Sequence, residues 1–588
     1  MENVYIISDY SDLLKQVITD LALPEEQIIE HESMDTESEY HDQVTRLFQA
    51  KDIQTLIIPV SIPHDAPNNF AGLKIALHIR LNHELTLAQR LIPIVFLSDF
   101  NLEVILKNQD FDPDNQPQNL LLTKGSYLAG YDAEEIKSVL EKTTIPTTED
   151  YQNNILHRLQ IRPKATAGKH SIANAWGCLK LAQVTNQGNA IWQDTKLGNL
   201  LKTLYAQYLI ACLGTFSSQE YVDLEPLPCT RKKVLFIDDQ ADEGWTTLMS
   251  HIFRSAGNGF VSIDSGRYKN SETGLFTDFD GFYDECKSHI GENWDLIIID
   301  LRLNPEEEDL GHTLVAPPEL SGNRLIEAFL NANKGYQIIV STASNKVWNI
   351  QAALNKGAAA YYIKESPEFN YALSDTKTHY DNFKDDIVVC FEKSYLRDTY
   401  KDTEQLKAGL DAWEYDKRHF VEEIKKQLDI AYTLLYRAQT QEQYAFAYVA
   451  LYLVIEIINE EFFKETSNEK WTIDEEENLL SWWWKSEDRQ YCNTDKEGTQ
   501  QDYIGKNPPE WIKFAGLYFQ KWRKTDHSFV RDIFLMIQKR NGFIHNDQDI
   551  MNYQNSRGEH LNQDIFEANG YQKLFDKIKD IISYLCDL

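Results

Sequence analysis

Lys233-Val234-Leu235-Phe236-Ile237-Asp238-Asp239 and Trp294-Asp295-Leu296-Ile297-Ile298-Ile299-Asp300 are two apolar runs that each stop on acid. Runs this short and this apolar, bounded by polar residues, read as strands buried on both faces. Two further runs follow in the same region. One ends in Ser341-Thr342-Ala343 and the other in Lys364. Helical stretches between them predict a parallel sheet, whose strand C-termini share the edge where ligands bind. Asp238, Asp239, Asp300, Thr342 and Lys364 then converge on one place, as three carboxylates, a hydroxyl and an ammonium.

Clustered carboxylates repel one another unless a cation neutralises them. Mg²⁺ suits such a site, since it takes a few carboxylates and keeps positions for water and phosphate oxygens. One carboxylate can then act as nucleophile toward a phosphoryl donor, with a hydroxyl and a lysine to receive the transferred group. Residues 231–370 resemble the receiver domain of response regulators, a flavodoxin-like fold. The resemblance implies that Asp300 is the phosphoacceptor, that Asp238 and Asp239 hold Mg²⁺ with it, and that Thr342, Tyr361 and Lys364 form the switch. It also implies a cognate histidine kinase or another phosphodonor as partner. Two departures stand out: Glu365-Ser366 separate the lysine from Pro367, and Asn304–Leu320 form a long acidic insertion beside Asp300.

Working outward, residues 1–145 repeat the strand–helix alternation with Val4–Ile7, Thr55–Val60, Ile92–Leu97 and Leu120–Thr123 as strands. They resemble a degenerate receiver. Ser8-Asp9 stands at the acid pair, Ser98 at the hydroxyl and Lys124 at the lysine, while Ser61 follows the strand that would carry the phosphoacceptor. Without that carboxylate no aspartyl phosphate forms, so a structural or dimerising role is expected. Residues 150–225 read as a helical spacer. Within it His170 and Asn174 fall four apart on one helix face, a spacing similar to phosphoacceptor helices of histidine kinases, though a plain helix-start histidine is the simpler reading.

Residues 371–426 read as a helical linker and 427–588 as an all-helical domain. Arg540-Asn541-Gly542-Phe543-Ile544-His545 resembles the Arg-x4-His motif of the HEPN superfamily, which includes metal-independent ribonucleases. The resemblance implies Arg540, Asn541 and His545 as catalytic residues in a site formed by two chains, hence a homodimer with RNA as substrate. Histidine serves as acid or base near neutrality, and arginine's planar fork binds a crowded phosphate. On a continuous helix Arg540 and His545 would point to different faces, and Gly542 would permit a bend that joins them. Lys513 to Arg540 holds seven bases against Asp526 and Asp532, a basic island of the kind an RNA-facing surface needs. Trp482-Trp483-Trp484 would stack bases or, more simply, fill a buried corner.

The chain has 588 residues and a net charge of −33, a field that opposes indiscriminate binding to polyanions or membrane surfaces. Its seven cysteines show no paired spacing, so neither a disulfide scaffold nor a zinc knuckle is expected. Tyr444–Ile455 is too short an apolar run to cross a bilayer, and no secretory signal precedes Tyr5, so a cytoplasmic protein is expected. The fold class expected is α/β plus all-α. The function expected is a phosphorylation-responsive effector whose receiver controls a HEPN-like ribonuclease, a layout similar to prokaryotic antiphage regulators. The alternative is a non-catalytic phosphorelay adaptor whose helical domain dimerises or binds a partner protein.

Overall fold

The computed structural model describes residues 3–8, 11–62, 70–107, 115–159, 161–163, 169–185, 195–213, 227–270, 274–304, 307, 319–343, 347–368, 371–466, 470–495, 497–545 and 563–587. The chain divides into two compact units, Met1–Ala332 with Gln337–Glu392, and Asn333–Tyr336 with Lys393–Leu588.

The first unit holds two parallel five-stranded sheets. In the first, β1 (Val4–Ser8), β2 (Ile28–Glu30), β3 (Thr55–Pro59), β4 (Ile94–Leu97) and β5 (Ser126–Ala129) lie in the order β2-β1-β3-β4-β5. Ile6, Leu56, Ile57, Ile58 and Ile94 to Leu97 are all inaccessible to solvent, as a sheet covered on both faces requires. The covering helices are α1 (Asp12–Leu21), α2 (Glu37–Ala50), α3 (Ala71–Leu81), α4 (Leu102–Leu106) and α5 (Ala133–Leu140). Side chains set their starts: Ser11 accepts from the Leu14 amide at α1, and Thr36 with Glu39 closes a capping box at α2.

One strand is displaced from its expected place. Leu120–Thr123 does not pair, because Pro117 opens a 3₁₀ turn over Pro117–Leu122 that buries Leu120. The chain turns at Gly125, at φ +79°, and only then enters β5. Lys124 therefore precedes the last strand instead of ending it.

The second sheet uses β6 (Val234–Ile237), β7 (Phe260–Ser262), β8 (Leu296–Ile299), β9 (Ile338–Thr342) and β10 (Ala360–Ile363), in the order β10-β9-β8-β6-β7. Counted from its first strand this is the order of the first sheet, so the unit contains one architecture twice. The order reverses between β6 and β8, which puts a crevice at the strand ends that carry Asp238 and Asp300.

The expected spacer does not stand apart from the sheets. After a short helical segment at 148–159, its described helices are α6 (Lys169–Thr185), α7 (Thr195–Leu201) and α8 (Leu204–Leu213). Cys178, Leu181 and Ala182 of α6 and Leu197 of α7 share a core with Val234, Phe236 and Leu296, and Leu204 of α8 belongs to the core of the first sheet. The remaining helices of the second sheet are α9 (Trp245–Ile252), α10 (Phe279–Ser288), α11 (Ser321–Ala332), α12 (Val347–Lys356) and α13 (Leu373–Lys393). Tyr380, Phe383 and Ile387 of α13 join the same core as α6. The first part of the expected linker is thus the closing helix of the second α/β domain.

The second unit is built on α14 (Tyr395–Ala412), α15 (Arg418–Arg437), α16 (Gln441–Phe462), α17 (Glu510–Ala515), α18 (His527–His545) and α19 (Ala568–Cys586). It is largely but not wholly helical. Between α16 and α17 lie two small antiparallel sheets, β11 (Phe463–Glu465) with β12 (Trp471–Ile473) and β13 (Glu477–Asn478), and β14 (Trp483–Lys485) with β15 (Gln490–Cys492). Of the acidic stretch at 474–477, Asp474 to Glu476 form the turn between β12 and β13, with Asp474 and Glu475 at positive φ, and Glu477 opens β13 opposite Ile473.

Candidate functional site

At the C-terminal edge of the second sheet the backbone delivers three carboxylates to one place. Asp238 and Asp239 directly follow β6, and Asp300 directly follows β8, its amide donating to the Ile237 carbonyl. One ligand oxygen from each of Asp238, Asp239 and Asp300 lies within 4.8 Å of the others, the one such cluster among the described residues. Asp238 and Asp300 are buried, and Asp239 is partly exposed.

Lys364, directly after β10, inserts its ammonium between two of the acids. Its Nζ donates to Asp238 Oδ2 at 2.6 Å and to Asp300 Oδ2 at 2.9 Å, and also to Asn174 Oδ1. The same nitrogen sits 4.6 Å from the centre of the Trp245 ring. The second oxygens are held by backbone, Asp238 Oδ1 by the Gln240 amide and Asp300 Oδ1 by the Arg302 amide.

The charges respond to this crowding. Burial raises the Asp238 carboxyl above the usual range even though Lys364 opposes it, with Asp300 adding to the rise. Asp239 is pushed well above, by burial first and then by Asp238 and Asp300. Burial works against the Lys364 ammonium, but Asp238 and Asp300 outweigh it and raise its affinity for the proton. Three carboxylates facing one ammonium leave an excess of negative charge, which a hard divalent cation would offset. The donor set fits Mg²⁺ on that ground.

Thr342 ends β9 and is buried beside this edge, its carbonyl accepting from the Lys364 amide. Tyr361 is 44% exposed on the edge strand β10 and takes no part in the buried cluster. Glu365, at the position of the first departure, is buried and accepts from Thr376 Oγ1 of α13 at 3.0 Å, so it ties the end of β10 to the last helix. Of the acidic insertion, Glu307 accepts from the Ser321 amide and hydroxyl at the start of α11, while 308–318 lie outside the described residues.

The equivalent edge of the first sheet has no such chemistry among the described residues. Ser61 lies just past β3, Ser98 Oγ accepts from the Phe100 amide, and Lys124 pairs with Asp150. Asp9 lies outside the described residues. The lysine assignment is corrected by the strand shift described above.

Asn174 was legible only as the partner of His170 on a helix face. It is instead the residue of α6 that reaches Lys364. The His170 side chain lies outside the described residues.

In the second unit α18 runs unbroken through Gly542, so the bend expected there is absent. Arg540 pairs with Glu456 at 2.8 Å, lies 5.3 Å over the Tyr452 ring and donates to Asn541 Oδ1 at 3.0 Å. His545 is the last residue of α18, and its side chain lies outside the described residues. The basic island is largely spent within the unit. Lys513 pairs with Glu510, Lys521 with Asp474, Arg523 with Glu477 and Lys539 with Asp564. Lys524 and Arg531 lie over Tyr584 and Trp484. Trp482 is buried against Phe519.

A family model described as "Inactive Receiver domain" matches residues 10–129, about a fifth of the chain. The match falls on the first sheet, which lacks the phosphoacceptor carboxylate. No curated protein matches the chain. The N-terminal α/β domain is therefore receiver-like. No described helix is long and apolar enough to cross a membrane.

Proposed function

We propose that the chain is a signalling regulator in which the second α/β domain is a phosphorylation-competent receiver and the first is its inactive counterpart. A receiver-like domain suggests signalling-related regulation. The observation that carries the finer reading is the acid cluster: Asp238, Asp239 and Asp300 gathered around Lys364 at the switch point of a sheet with the strand order of the receiver-like domain.

In this reading Asp238, Asp239 and Asp300 would hold Mg²⁺, which would supply positive charge to offset that of the phosphate. An Asp300 oxygen attacks the phosphorus of a phosphohistidine or acyl phosphate. The P–N or P–O bond of the donor breaks, and the donor leaves with that electron pair. Lys364 neutralises the new charge and Thr342 donates to a phosphoryl oxygen. Trp245, beside Lys364, reports on occupancy. Mg²⁺ with beryllofluoride should change tryptophan emission in the wild type and not in Asp300→Asn; identical responses in both would refute the reading.

For the helical unit we favour partner binding, because the cations of its basic island are already paired or stacked. A ribonuclease reading keeps the Arg540–Asn541 pair in its favour and requires a homodimer that brings two Arg540–His545 sets together. RNA cleavage by the activated wild type that His545→Ala abolishes would establish it; no cleavage by either would leave the partner-binding reading.

A further inference from the structure

Helix α6 presents Asn174, Gly177, Cys178 and Leu181 on one face, at the i, i+3, i+4, i+7 positions of a buried stripe. Cys178 and Leu181 enter the core of the second sheet. Gly177 meets the strand end that carries the lysine: a Cβ there would lie 3.0 Å from Lys364 Cβ and 3.1 Å from the Glu365 amide nitrogen. Lys180 donates to the Tyr371 carbonyl, just before α13, at 3.3 Å. The helix is thereby fixed against the acid pocket, and Asn174, 3% exposed, reaches the lysine within it.

An ammonium has three donors and no acceptor, so the Asn174 atom facing it must be the carboxamide oxygen. Asp238, Asp300 and Asn174 use all three donors of Lys364. A phosphoryl group or its mimic on Asp300 brings oxygens that need the same ammonium. One present acceptor must then leave. The neutral amide is the most easily displaced, since it offers the ammonium only a dipole where a carboxylate or a phosphoryl oxygen offers a full negative charge.

We propose that Asn174 is an internal ligand of Lys364, occupying the acceptor position that a phosphoryl oxygen takes, so that filling the acid pocket and docking of the start of α6 exclude one another. The proposal rests on the phosphate-binding reading of the pocket. It makes Asn174 a positioning residue, which sets the affinity for phosphate, and it makes α6, tied through Lys180 to the loop before α13, the first element to feel occupancy.

The test is to titrate the full chain with beryllofluoride at saturating Mg²⁺ in the wild type, Asn174→Ala, Asn174→Asp and Asp300→Asn. Folding is checked by circular dichroism, and hydrogen exchange is followed over residues 172–185. Asn174→Ala should bind roughly tenfold to a hundredfold more tightly, the range set by a hydrogen bond to a charged group. Asn174→Asp, which keeps shape and acceptor but adds charge, should bind more weakly than the wild type. Occupancy should speed exchange at the start of α6 in the wild type. Equal affinity in the wild type and both Asn174 variants, with Asp300→Asn inactive, would overturn this proposal and leave the phosphate reading standing. Absence of binding in all four proteins would overturn both.

Discussion

Lys364 is the counter-charge of a pocket that would otherwise hold uncompensated buried carboxylates, and its removal has a calculable cost. Lys364→Met leaves Asp238 and Asp300 unpaired and should lower stability at pH 7 by about 3–5 kcal/mol in urea unfolding, the usual cost of breaking a buried pair. Added Mg²⁺ should recover part of that loss. Asp239 works the other way. Its proton affinity is raised in the fold, so the stabilisation it gives is present below the ordinary aspartate range and is lost as pH rises through the raised value. Asp239→Asn should therefore raise the melting temperature of the metal-free protein at neutral pH, by about 2–4 °C for each kcal/mol recovered. The gain should vanish near pH 4, and a gain that persists there would count against this account of the site. His78 gives the opposite slope. Burial first, then His41, lowers it to about 3, and Tyr40 stacks on its ring. Its contribution is present above the ordinary histidine range near 6.5 and is lost as pH falls toward 3. His78→Phe should flatten the acid limb of the stability profile.

Between residue and fold, the helix that follows the third strand of each sheet begins in the same way. Gly72 is the second residue of α3 and Gly322 the second of α11. A Cβ would fall 1.8 Å from the Pro59 carbonyl oxygen in the first case and 2.1 Å from the Asp300 carbonyl oxygen in the second. Each glycine lets a helix start pack against a strand end, and in the second domain that strand end carries the candidate phosphoacceptor. The neighbours are backbone and cannot yield, so Gly322→Ala should cost about 1–3 kcal/mol or more by overpacking. It should also perturb beryllofluoride binding, whereas Gly72→Ala should destabilise without touching it. Equal effects of both on binding would show that the two glycines do not act locally. Strands were legible wherever four or more apolar residues stood together, as at Leu296–Ile299. They were illegible at Ser126–Ala129, where Pro117 and Gly125 drew the run Leu120–Leu122 into a turn and a less apolar segment took the edge position.

Across the whole molecule the duplication of the α/β architecture was readable from alternation alone, and so was the convergence of Asp238, Asp239, Asp300 and Lys364, because strand ends share an edge in any parallel sheet. What escaped was non-local. The docking of α6 depends on Gly177, Cys178 and Leu181 meeting strands far along the chain, and local periodicity carries no record of that partner. The small sheets at 463–492 escaped for a different reason: their strands are two or three residues long and lie among tryptophans that also suit a helical core. The basic island was legible as a run of charge, but its pairing and stacking within the unit were not, because those partners lie elsewhere in the chain. The second unit has its own continuous core from Leu396 to Leu585. Residues 393–588 should accordingly express alone as a folded, mainly helical protein with a cooperative thermal transition by circular dichroism; a disordered spectrum would contradict the division of the chain.

The most direct measurement is chemical mapping of the acceptor. The full chain is treated with acetyl phosphate and Mg²⁺ and reduced with borohydride, which converts an aspartyl phosphate to homoserine, and the peptide containing Asp300 is then weighed by mass spectrometry. Homoserine at position 300 in the wild type, with no modified residue in Asp300→Asn or without Mg²⁺, is the expected result. Unmodified Asp300 in the wild type, or modification that persists in Asp300→Asn, would contradict a phosphoacceptor role for the acid pocket.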